Sequence, residues 1–449
     1  MFPLQDRFKI LRPLSIRDFR LLWTGMSISM IGDGVTFVAL AWQVYELSNV
    51  PTAMSVVGVA WSLPMVVFLL IGGVVSDRFD RRRVMIASDV VRCIAIGAVG
   101  ILSVTGRIEL WHIFGLIALY GVGDAFFGPA FGAIVPDIVP RDLLVQANSL
   151  EQFVRPVAFQ MLGPALGGFG IAAFERIGGG VGHVFLIDAA SFLVSAVCLS
   201  FMRTRLRARP KGLAVRSALT EIGEGFRFVR SKTWLWATLC MALVSLLFFL
   251  GPWEVLLPYV VKNELGGGAD ALGLVYAAGG VGSVLASLTM AQRGLPRRHM
   301  RFMYLAFATE VFGVAGYAFI AWAWQAMVIA FFAAGLATAG MVVWGTLMHK
   351  LVPIELQGRV RSVDWLVSIG LVPVSFAITG PIADAVGVTR TLLGAGVLGG
   401  LATLSFMLIP GLYETERDGS IHPGEAAVLE EPVLPGEMEA EEREAVIHS

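Results

Sequence analysis

Residues 72–84 read GGVVSDRFDRRRV and stand between two long apolar segments of the chain. Two glycines close the first segment, residues 77–83 carry six charges, and the apolar sequence resumes at Val84. Charged side chains are costly inside a bilayer, and basic ones collect in the loops on its cytoplasmic side. The stretch therefore predicts a short cytoplasmic loop between two membrane-spanning helices.

The composition of the whole chain is that of a membrane protein. Of its 449 residues, 56% are hydrophobic and only 15% are charged, and the mean hydropathy is +0.74, whereas soluble domains carry about 25% charged residues. The formal net charge of zero is uninformative, because the charges are segregated along the chain. The three cysteines lie inside apolar segments without metal or redox spacing, so neither a disulfide framework nor a metal site is predicted.

The long apolar segments predict an all-α membrane protein with twelve transmembrane helices. A helix needs about 20 residues to cross a bilayer, and an unpaired backbone group in lipid is too costly for any open alternative. We expect spans near residues 19–44, 52–76, 84–105, 109–135, 149–173, 182–202, 234–261, 270–291, 301–321, 323–348, 359–383 and 389–413.

One long polar connection divides these spans into six and six. Basic residues collect on the side of the membrane that holds this connection and both termini, so that side is predicted to be cytoplasmic. The predicted units are a cytoplasmic N-terminal segment 1–18, a six-helix bundle 19–202, a cytoplasmic linker 203–233 with an amphipathic helix, a second bundle 234–413, and an acidic disordered tail 414–449.

The two halves share short motifs in the same order. Val139-Pro140 after span 4 is echoed by Val352-Pro353 after span 10, and Gly163-Pro164 in span 5 is echoed by Gly380-Pro381 in span 11. These matches fall at a nearly constant offset, which predicts a duplicated six-helix unit, as in transporters built from parallel repeats.

At these motifs the sequence resembles a known family. The stretch 73–83 resembles the signature loop of the major facilitator superfamily, and residues 18–23, 32–34 and 139–141 are similar to its bacterial efflux branch, which includes the enterobactin exporter and macrolide efflux proteins. The resemblance implies two six-helix bundles around a cavity, alternating access, and a monomer in the bacterial inner membrane. The residues that match only the tail of the superfamily's antiporter motif are Gly163, Pro164, Gly167 and Gly168.

The charged loop is predicted to act as a conformational latch. Gly73 allows helices to approach closely, and the resemblance implies that Asp77 meets the start of span 11, where a carboxylate caps free N–H groups. Arg78, Arg81 and Arg82 would belong to the same network, which would hold the two halves together in the outward-facing state. The alternative is that the arginines only set the topology.

Carboxylates within the spans are the other candidate site residues, because an intramembrane charge is functional by default. Asp33 and Asp124 lie near mid-membrane beside glycines, where a carboxylate facing a cavity can take up and release protons. Glu254, beside Pro252 in span 7, and Glu310 in span 9 could pair with a cationic substrate. The two aspartates could instead be structural, hydrogen-bonded or buried against a neighbouring helix, and the two glutamates could be peripheral structural charges.

Other polar and aromatic residues have simpler interpretations. Asp89 and Arg92 have the i,i+3 spacing of a local pair, and Asp188 is expected near the outer surface, capped or solvated. Trp253 and other tryptophans could line a cavity for flat or cationic ligands, although core packing explains any one of them.

The sequence thus predicts a secondary transporter: a proton-coupled antiporter that exports a small amphipathic molecule, drug-like, macrolide-like or siderophore-like, and confers multidrug resistance. An uptake carrier of the same fold and a lipid-handling or non-transporting membrane protein are the alternatives. No catalytic constellation or phosphate-binding loop is found, so no enzyme, cofactor or ATP drive is predicted. The expected partners are substrate, protons and membrane lipids, without nucleic acid.

Overall fold

The computed structural model of the protein describes residues 9–203 and 215–417. Within these ranges the elements are helices without a strand, and twelve of them are long and apolar enough to cross a membrane. The predicted all-α architecture is therefore confirmed. Spans 1 to 12 are, in order, Arg17–Leu47, Pro51–Arg78, Arg81–Val104, Leu110–Ile138, Leu144–Arg176, Val181–Ser200, Thr233–Glu264, Ala269–Arg293, His299–Phe319, Ala323–Leu351, Leu356–Val386 and Val388–Leu408.

Short elements connect and terminate the spans. Span 2 ends at Arg78, within the charged loop. Asp80 caps the start of span 3, and its side chain accepts a hydrogen bond of 3.0 Å from the Arg82 backbone N–H. This cap satisfies one of the free N–H groups at the start of a helix. The other short elements are the 3-10 turns Lys9–Ser15 and Arg141–Leu143, the linker helix Val215–Ser231 and the helical turn Glu414–Arg417.

Two spans contain wide π-helical turns that begin at or beside a proline. Span 5 is π-helical over Arg155–Leu162, which includes Pro156, and span 7 over Pro252–Leu256. A proline has no backbone N–H to donate to the preceding turn. The backbone hydrogen bonds therefore shift to the wider turns of a π-helix, which are frequent at functional sites. Pro252 thus interrupts the regular hydrogen bonding of span 7.

The linker helix and the start of the tail both pack on the second bundle. Glu224 forms an ion pair with Arg359 at the start of span 11. Glu414–Arg417, within the tail predicted to be disordered, instead form a turn, where Thr415 Oγ1 lies 3.2 Å from His299 Nε2. The residues outside the described ranges, and the predictions that fall on them, are 1–8 of the N-terminal segment, 204–214 of the linker and 418–449 of the acidic tail.

Spans 1–6 and spans 7–12 pack in the same pattern. Span 2 lies on span 4 and span 3 on span 6, and likewise span 8 lies on span 10 and span 9 on span 12. Two equivalent contacts join the halves, span 2 with span 11 and span 5 with span 8. This is the arrangement expected of a duplicated unit.

The two ends of the molecule differ in how the halves meet. We call the membrane face where the described chain begins and ends the basal side, and the opposite face the distal side. In the distal half one hydrophobic core contains buried residues of both bundles, among them Val38, Tyr45, Val255 and Phe376. In the basal half each bundle has a core of its own. The halves are therefore joined distally and separate basally.

Candidate transport site

A buried arginine on span 3 organises the polar interior of the first bundle. Arg92 is only 2% exposed, and its Nη2 lies 2.5 Å from Asp89 Oδ1, which confirms the predicted local pair. The guanidinium also lies 4.3 Å and 4.6 Å from the ring centroids of Phe127 and Phe192. Arginine stacks well on aromatic faces, so the cation is held in place on several sides.

Asp33 and Asp124 flank this arginine from two other helices. Arg92 Nη1 lies 4.0 Å from Asp33 Oδ2 and 3.9 Å from Asp124 Oδ1, and the Tyr120 hydroxyl donates a hydrogen bond of 2.8 Å to Asp33. The side chains of Asp33 and Asp124 are 17% and 32% exposed, whereas that of Asp89 is fully buried. The structure thus brings the two predicted carboxylates together around one cation that already has a closer partner.

Asp188 corrects the sequence-based expectation. It was expected near the outer surface, but its side chain is fully buried between spans 1 and 6. It accepts hydrogen bonds from Thr36 Oγ1 at 2.6 Å and from Ser191 Oγ at 2.9 Å. A Cβ at Gly32 would overlap this carboxylate. Two features of the sequence could have indicated this burial: Ser191, three residues after Asp188, and the glycine pair around Asp33. Neither feature determines which face of span 6 is buried.

An aromatic cluster connects the two bundles above this site. Phe37 of span 1 lies 4.9 Å from Tyr276 of span 8 and 5.9 Å from Trp253 of span 7, measured between ring centroids. Phe159 of span 5 is 6.1 Å from Phe37. The Tyr276 hydroxyl is buried without a hydrogen-bond partner among the described residues. The cluster is therefore an apolar contact between the bundles that contains one unpaired hydroxyl.

The two glutamates of the second bundle stand apart from the arginine. Glu254 lies in the π-helical turn Pro252–Leu256 next to Trp253, and Glu310 lies on span 9, which packs on spans 10 and 12. Both are half-buried, and within the described ranges neither forms a hydrogen bond or an ion pair. Of the two, Glu254 is closer to the contact between the bundles, because its turn also contacts span 2.

Polar pairs seal the distal side, and two of them join equivalent positions of the repeats. Asn49 Nδ2 donates a hydrogen bond of 2.7 Å to Asn263 Oδ1, 214 residues further along the chain. The rings of Tyr45 and Tyr259, at the same separation in sequence, pack edge to face at 5.7 Å. The Tyr45 hydroxyl also donates a 2.6 Å hydrogen bond to the Val255 carbonyl. Neither pair belongs to the motifs that the two halves share in sequence.

Less symmetric contacts complete this distal seal. Lys262 donates to the carbonyl of Tyr45, and Thr52 hydrogen-bonds with Asp384. The Gly380 N–H donates a 2.7 Å hydrogen bond to Ser55 Oγ. Spans 1 and 7 and spans 2 and 11 are thus closed against each other at this end.

The antiporter-like motif of span 5 is a close-packing surface. A Cβ at Gly163 would lie 2.7 Å from the Gly34 Cα, and one at Gly167 would lie 2.8 Å from the Val35 carbonyl oxygen, both in span 1. On the other side, a Cβ at Gly168 would overlap the Ala269 carbonyl of span 8, and the Pro164 carbonyl faces Gly273 of the same span. The motif lets three helices meet at backbone distance.

The charged loop makes its described contacts within the first bundle. Arg81 pairs with Asp137 and donates a 2.9 Å hydrogen bond to the Ala133 carbonyl, both in the neighbouring span 4. Arg82 binds the Met202 carbonyl, and Arg78 is exposed. The side chain of Asp77 lies outside the described part. The expected charge network with a neighbouring helix is present for Arg81, but among the described contacts it does not join the two halves.

Gly73 makes no close helix contact with the described residues in this structure. A Cβ at Gly73 would meet no described atom within 4 Å, so this glycine does not mediate a close helix contact in this conformation. Its neighbour Gly72 does, because a Cβ there would overlap the Ala125 carbonyl of span 4.

Comparison with known proteins identifies relatives along most of the chain. The profile of a family described as transmembrane secretion effector matches residues 9–439. The MFS-type transporter YfiS of Bacillus subtilis is 29% identical over 392 residues, covering 84% of this chain and 89% of YfiS. The multidrug efflux pump Tap of Mycolicibacterium fortuitum is 26% identical over 394 residues, covering 86% and 94%. Macrolide efflux protein A of Streptococcus pyogenes is 22% identical over 250 residues, covering 56% and 60%.

Solved structures share the fold at low sequence identity. A POT family transporter in complex with 5-aminolevulinic acid superposes with a TM-score of 0.67 at 12% identity, covering 87% of this chain and 96% of that protein. A bacterial homolog of the human lysosomal transporter Spinster, in an inward-facing and occupied conformation, gives 0.64 at 15% identity, covering 87% and 95%.

Proposed function

The chain belongs to the transmembrane secretion effector family of major facilitator transporters, and from this premise we propose that it is a proton-coupled exporter of a small amphipathic molecule. It is a transporter rather than an enzyme, and a multi-pass bacterial membrane protein. Two of its relatives are named a multidrug efflux pump and a macrolide efflux protein. A drug-like, macrolide-like or siderophore-like substrate is the proposal for this chain.

The observation that carries the proposal is that three carboxylates lie at unequal distances from Arg92. Its guanidinium is 2.5 Å from Asp89 and about 4 Å from Asp33 and Asp124, so Asp89 neutralises it first. One guanidinium thus faces three carboxylates, so the two more distant ones are only partly neutralised. Asp33 and Asp124 therefore favour a state in which each either carries a proton or faces a cation.

This requirement gives the proposed exchange. From the basal side, a substrate with a cationic group would pair with Asp33 or Asp124 and place its apolar part against Phe37, Trp253 and Tyr276. After the halves rock, a proton arriving from the distal side would neutralise the carboxylate and release the substrate. The same carboxylate cannot hold both ligands, which couples the two movements. Glu254, between the aromatic cluster and span 2, is a second place for a proton or a cation, and Glu310 a third.

The orientation of the protein in the membrane is proposed from its basic loops. The basal side holds the arginines of the charged loop, and basic loops are cytoplasmic, so the separated basal halves would open towards the cytoplasm of a bacterial inner membrane. In the alternate state Gly73, Asp77, Arg78, Arg81 and Arg82 would contact the second bundle and form the latch. One copy of the chain contains both bundles, and a monomer embedded in lipid is the proposed working unit.

The test is efflux in a bacterial host that lacks its own drug pumps. Wild type, Asp33→Asn and Asp124→Asn are expressed at matched membrane levels and challenged with macrolides, cationic dyes and siderophores, with and without a proton uncoupler. Asp142→Asn, an exposed aspartate in the loop after span 4, is the matched control.

The expected result is protection by wild type and Asp142→Asn that the uncoupler abolishes, and little or no protection by Asp33→Asn. Substrate-coupled proton flux unchanged in both Asp33→Asn and Asp124→Asn would refute the carboxylate assignment. Energised accumulation of a compound inside cells would instead identify an uptake carrier. If no compound moves but labelled phospholipid does, the protein handles lipid.

A further inference from the structure

A separate groove of about 500 Å³ lies between spans 8 and 10, away from the transport site. Its volume is within the range of about 300–1,000 Å³ that is usual for small-molecule sites. Leu285, Ala286 and Met290 of span 8 line one wall, and Phe332 and Leu336 of span 10 line the other. The groove is apolar along its length and ends at an arginine.

Close packing at one point explains why the groove exists. A Cβ at Gly282 would overlap the Phe331 carbonyl of span 10, and a Cβ at Gly335 would lie 3.1 Å from the Gly282 carbonyl oxygen. The two backbones touch there, as small residues permit. Towards the basal side the small side chains of Ala286 and Ala339 leave the space between the helices unfilled.

The groove faces the surrounding lipid rather than the space between the bundles. Gly273 and Gly280 of span 8 pack against the backbone of span 5, where Pro164 and Gln160 lie. With 3.6 residues per turn, Gly282, Leu285 and Thr289 fall on the opposite face of span 8. Leu285 is 48% and Phe332 is 60% exposed, although both are large and apolar, which suits contact with hydrocarbon.

The length of the groove matches one leaflet of the bilayer. From Gly282 to Arg293 there are eleven helical steps, or about 16 Å at 1.5 Å per residue. Half of a hydrocarbon core of about 30 Å is about 15 Å. Exposed Arg293 and the turn 294–296 therefore lie at the depth of the lipid headgroups on the basal side, where a basic side chain attracts anionic lipid.

We propose that this groove binds one acyl chain of an anionic phospholipid from the basal leaflet, with the lipid phosphate at Arg293. The apolar walls select a hydrocarbon chain, and the arginine selects the negative headgroup. The site lies outside the proposed proton and substrate path, so it can be tested without a known transport substrate.

The experiment measures lipids retained by the purified full-length protein. Phosphatidylglycerol and phosphatidylethanolamine with the same chains are added in detergent, and bound lipid is counted by native mass spectrometry. Ala286→Phe fills the groove, and Leu288→Phe, on an exposed position of the same helix that does not line the groove, is its control. Arg293→Gln removes the headgroup contact, and Arg293→Lys retains the charge. A photoactivatable phosphatidylglycerol locates the contact by labelling residues 282–296.

We expect wild type and Leu288→Phe to retain one phosphatidylglycerol that Ala286→Phe loses, with the label lost in parallel. Arg293→Gln should weaken the preference for phosphatidylglycerol about fivefold, as one surface basic residue does, and Arg293→Lys should restore it. The proposal is overturned if Ala286→Phe retains the same lipid, if wild type does not distinguish the two headgroups, or if labelling falls elsewhere. If a transported drug displaces the photoactivatable lipid and unlabelled phosphatidylglycerol does not, the groove would be assigned to substrate instead.

Discussion

The distal and basal halves of this protein use opposite solutions to hold two helical bundles in one chain. Distally, one hydrophobic core runs through both bundles and polar pairs such as Asn49–Asn263 close its edge. Basally, each bundle has its own hydrophobic core. Arg81 forms its ion pair with Asp137, a residue of the same bundle. Arg81 thus needs no acidic partner from the other bundle in this conformation.

This difference teaches where the free energy of the conformation lies. Burying apolar surface is worth about 25 cal/mol per Å², and the core to which both bundles contribute lies in the distal half. The basal half contributes loop charges whose partners are local. A change in the distal half is therefore expected to alter the relation between the bundles, and a change in the basal half to alter it less.

The largest effect on the contact between the two bundles is expected for Gly168→Leu. The new side chain would overlap the Ala269 carbonyl and force spans 5 and 8 apart. Overpacking costs about 1–3 kcal/mol, and each 1.4 kcal/mol is about tenfold in an equilibrium, so distal closure should weaken about five- to a hundredfold. Loss of efflux at normal membrane levels is the readout, with Gly115→Leu as control because no atom lies within 4 Å of its Cβ position. Full activity of Gly168→Leu would contradict the tight contact.

The next effect is obtained by locking the distal seal. In a background without Cys240, the double variant Asn49→Cys with Asn263→Cys should be joined by a short bifunctional thiol reagent, because the native side chains are 2.7 Å apart. Crosslinking should stop transport, and a reducible reagent should allow recovery after reduction. The single variants must remain active under the same treatment. Transport that continues in the fully crosslinked protein would show that the seal need not open.

A smaller effect separates structural from transport carboxylates. Asp188→Asn removes a carboxylate that accepts from Thr36 and Ser191, and a disturbed buried hydrogen bond costs about 1–3 kcal/mol. We expect a lower unfolding temperature in detergent with efflux per folded molecule preserved. Asp33→Asn should show the reverse pattern, near-normal unfolding and lost efflux. Equal loss of efflux in both variants would place Asp188 in the transport path.

The smallest effect is expected for the linker. Glu224→Gln breaks the pair with Arg359, whose side chains are 44% and 34% exposed, and such surface pairs contribute about 0–1 kcal/mol. Thermal unfolding and efflux should both stay within error of wild type. A large drop in either would mean that the linker helix couples the bundles more strongly than its exposure suggests.

Hydropathy predicted the spans well because crossing a bilayer requires length and apolar composition, both of which are local. Span 3, expected from residue 84, begins at Arg81, since Asp80 caps it. Hydropathy does not reveal how a helix is rotated about its axis. Gly72 and Gly73 differ by about 100° around the axis, and only Gly72 meets span 4. The expectation for Asp188 was wrong for this reason, because the depth of a residue in a span does not reveal which face of the helix is buried.

The candidate site was half visible in the sequence. Asp33 and Asp124 stood out because intramembrane carboxylates are rare, and the spacing of Asp89 and Arg92 revealed their pair. That the four residues converge depends on how spans 1, 3 and 4 pack, and no local signal encodes this. The aromatic cluster and the distal polar pairs join residues of different bundles, so they too required the fold.

The Asn49–Asn263 pair bears on the ancestry of the molecule. An amide carries both a donor and an acceptor, so asparagine can bind an identical copy of itself, which an aspartate or a lysine would repel. A contact between equivalent positions is also the kind that a two-fold symmetric dimer makes. This pair would therefore close two separate, identical six-helix proteins as well as it closes the fused chain. The contact beside it is not repeated: Lys262 donates to Tyr45, whereas the equivalent position 214 residues earlier is Ser48, so the two halves have diverged there.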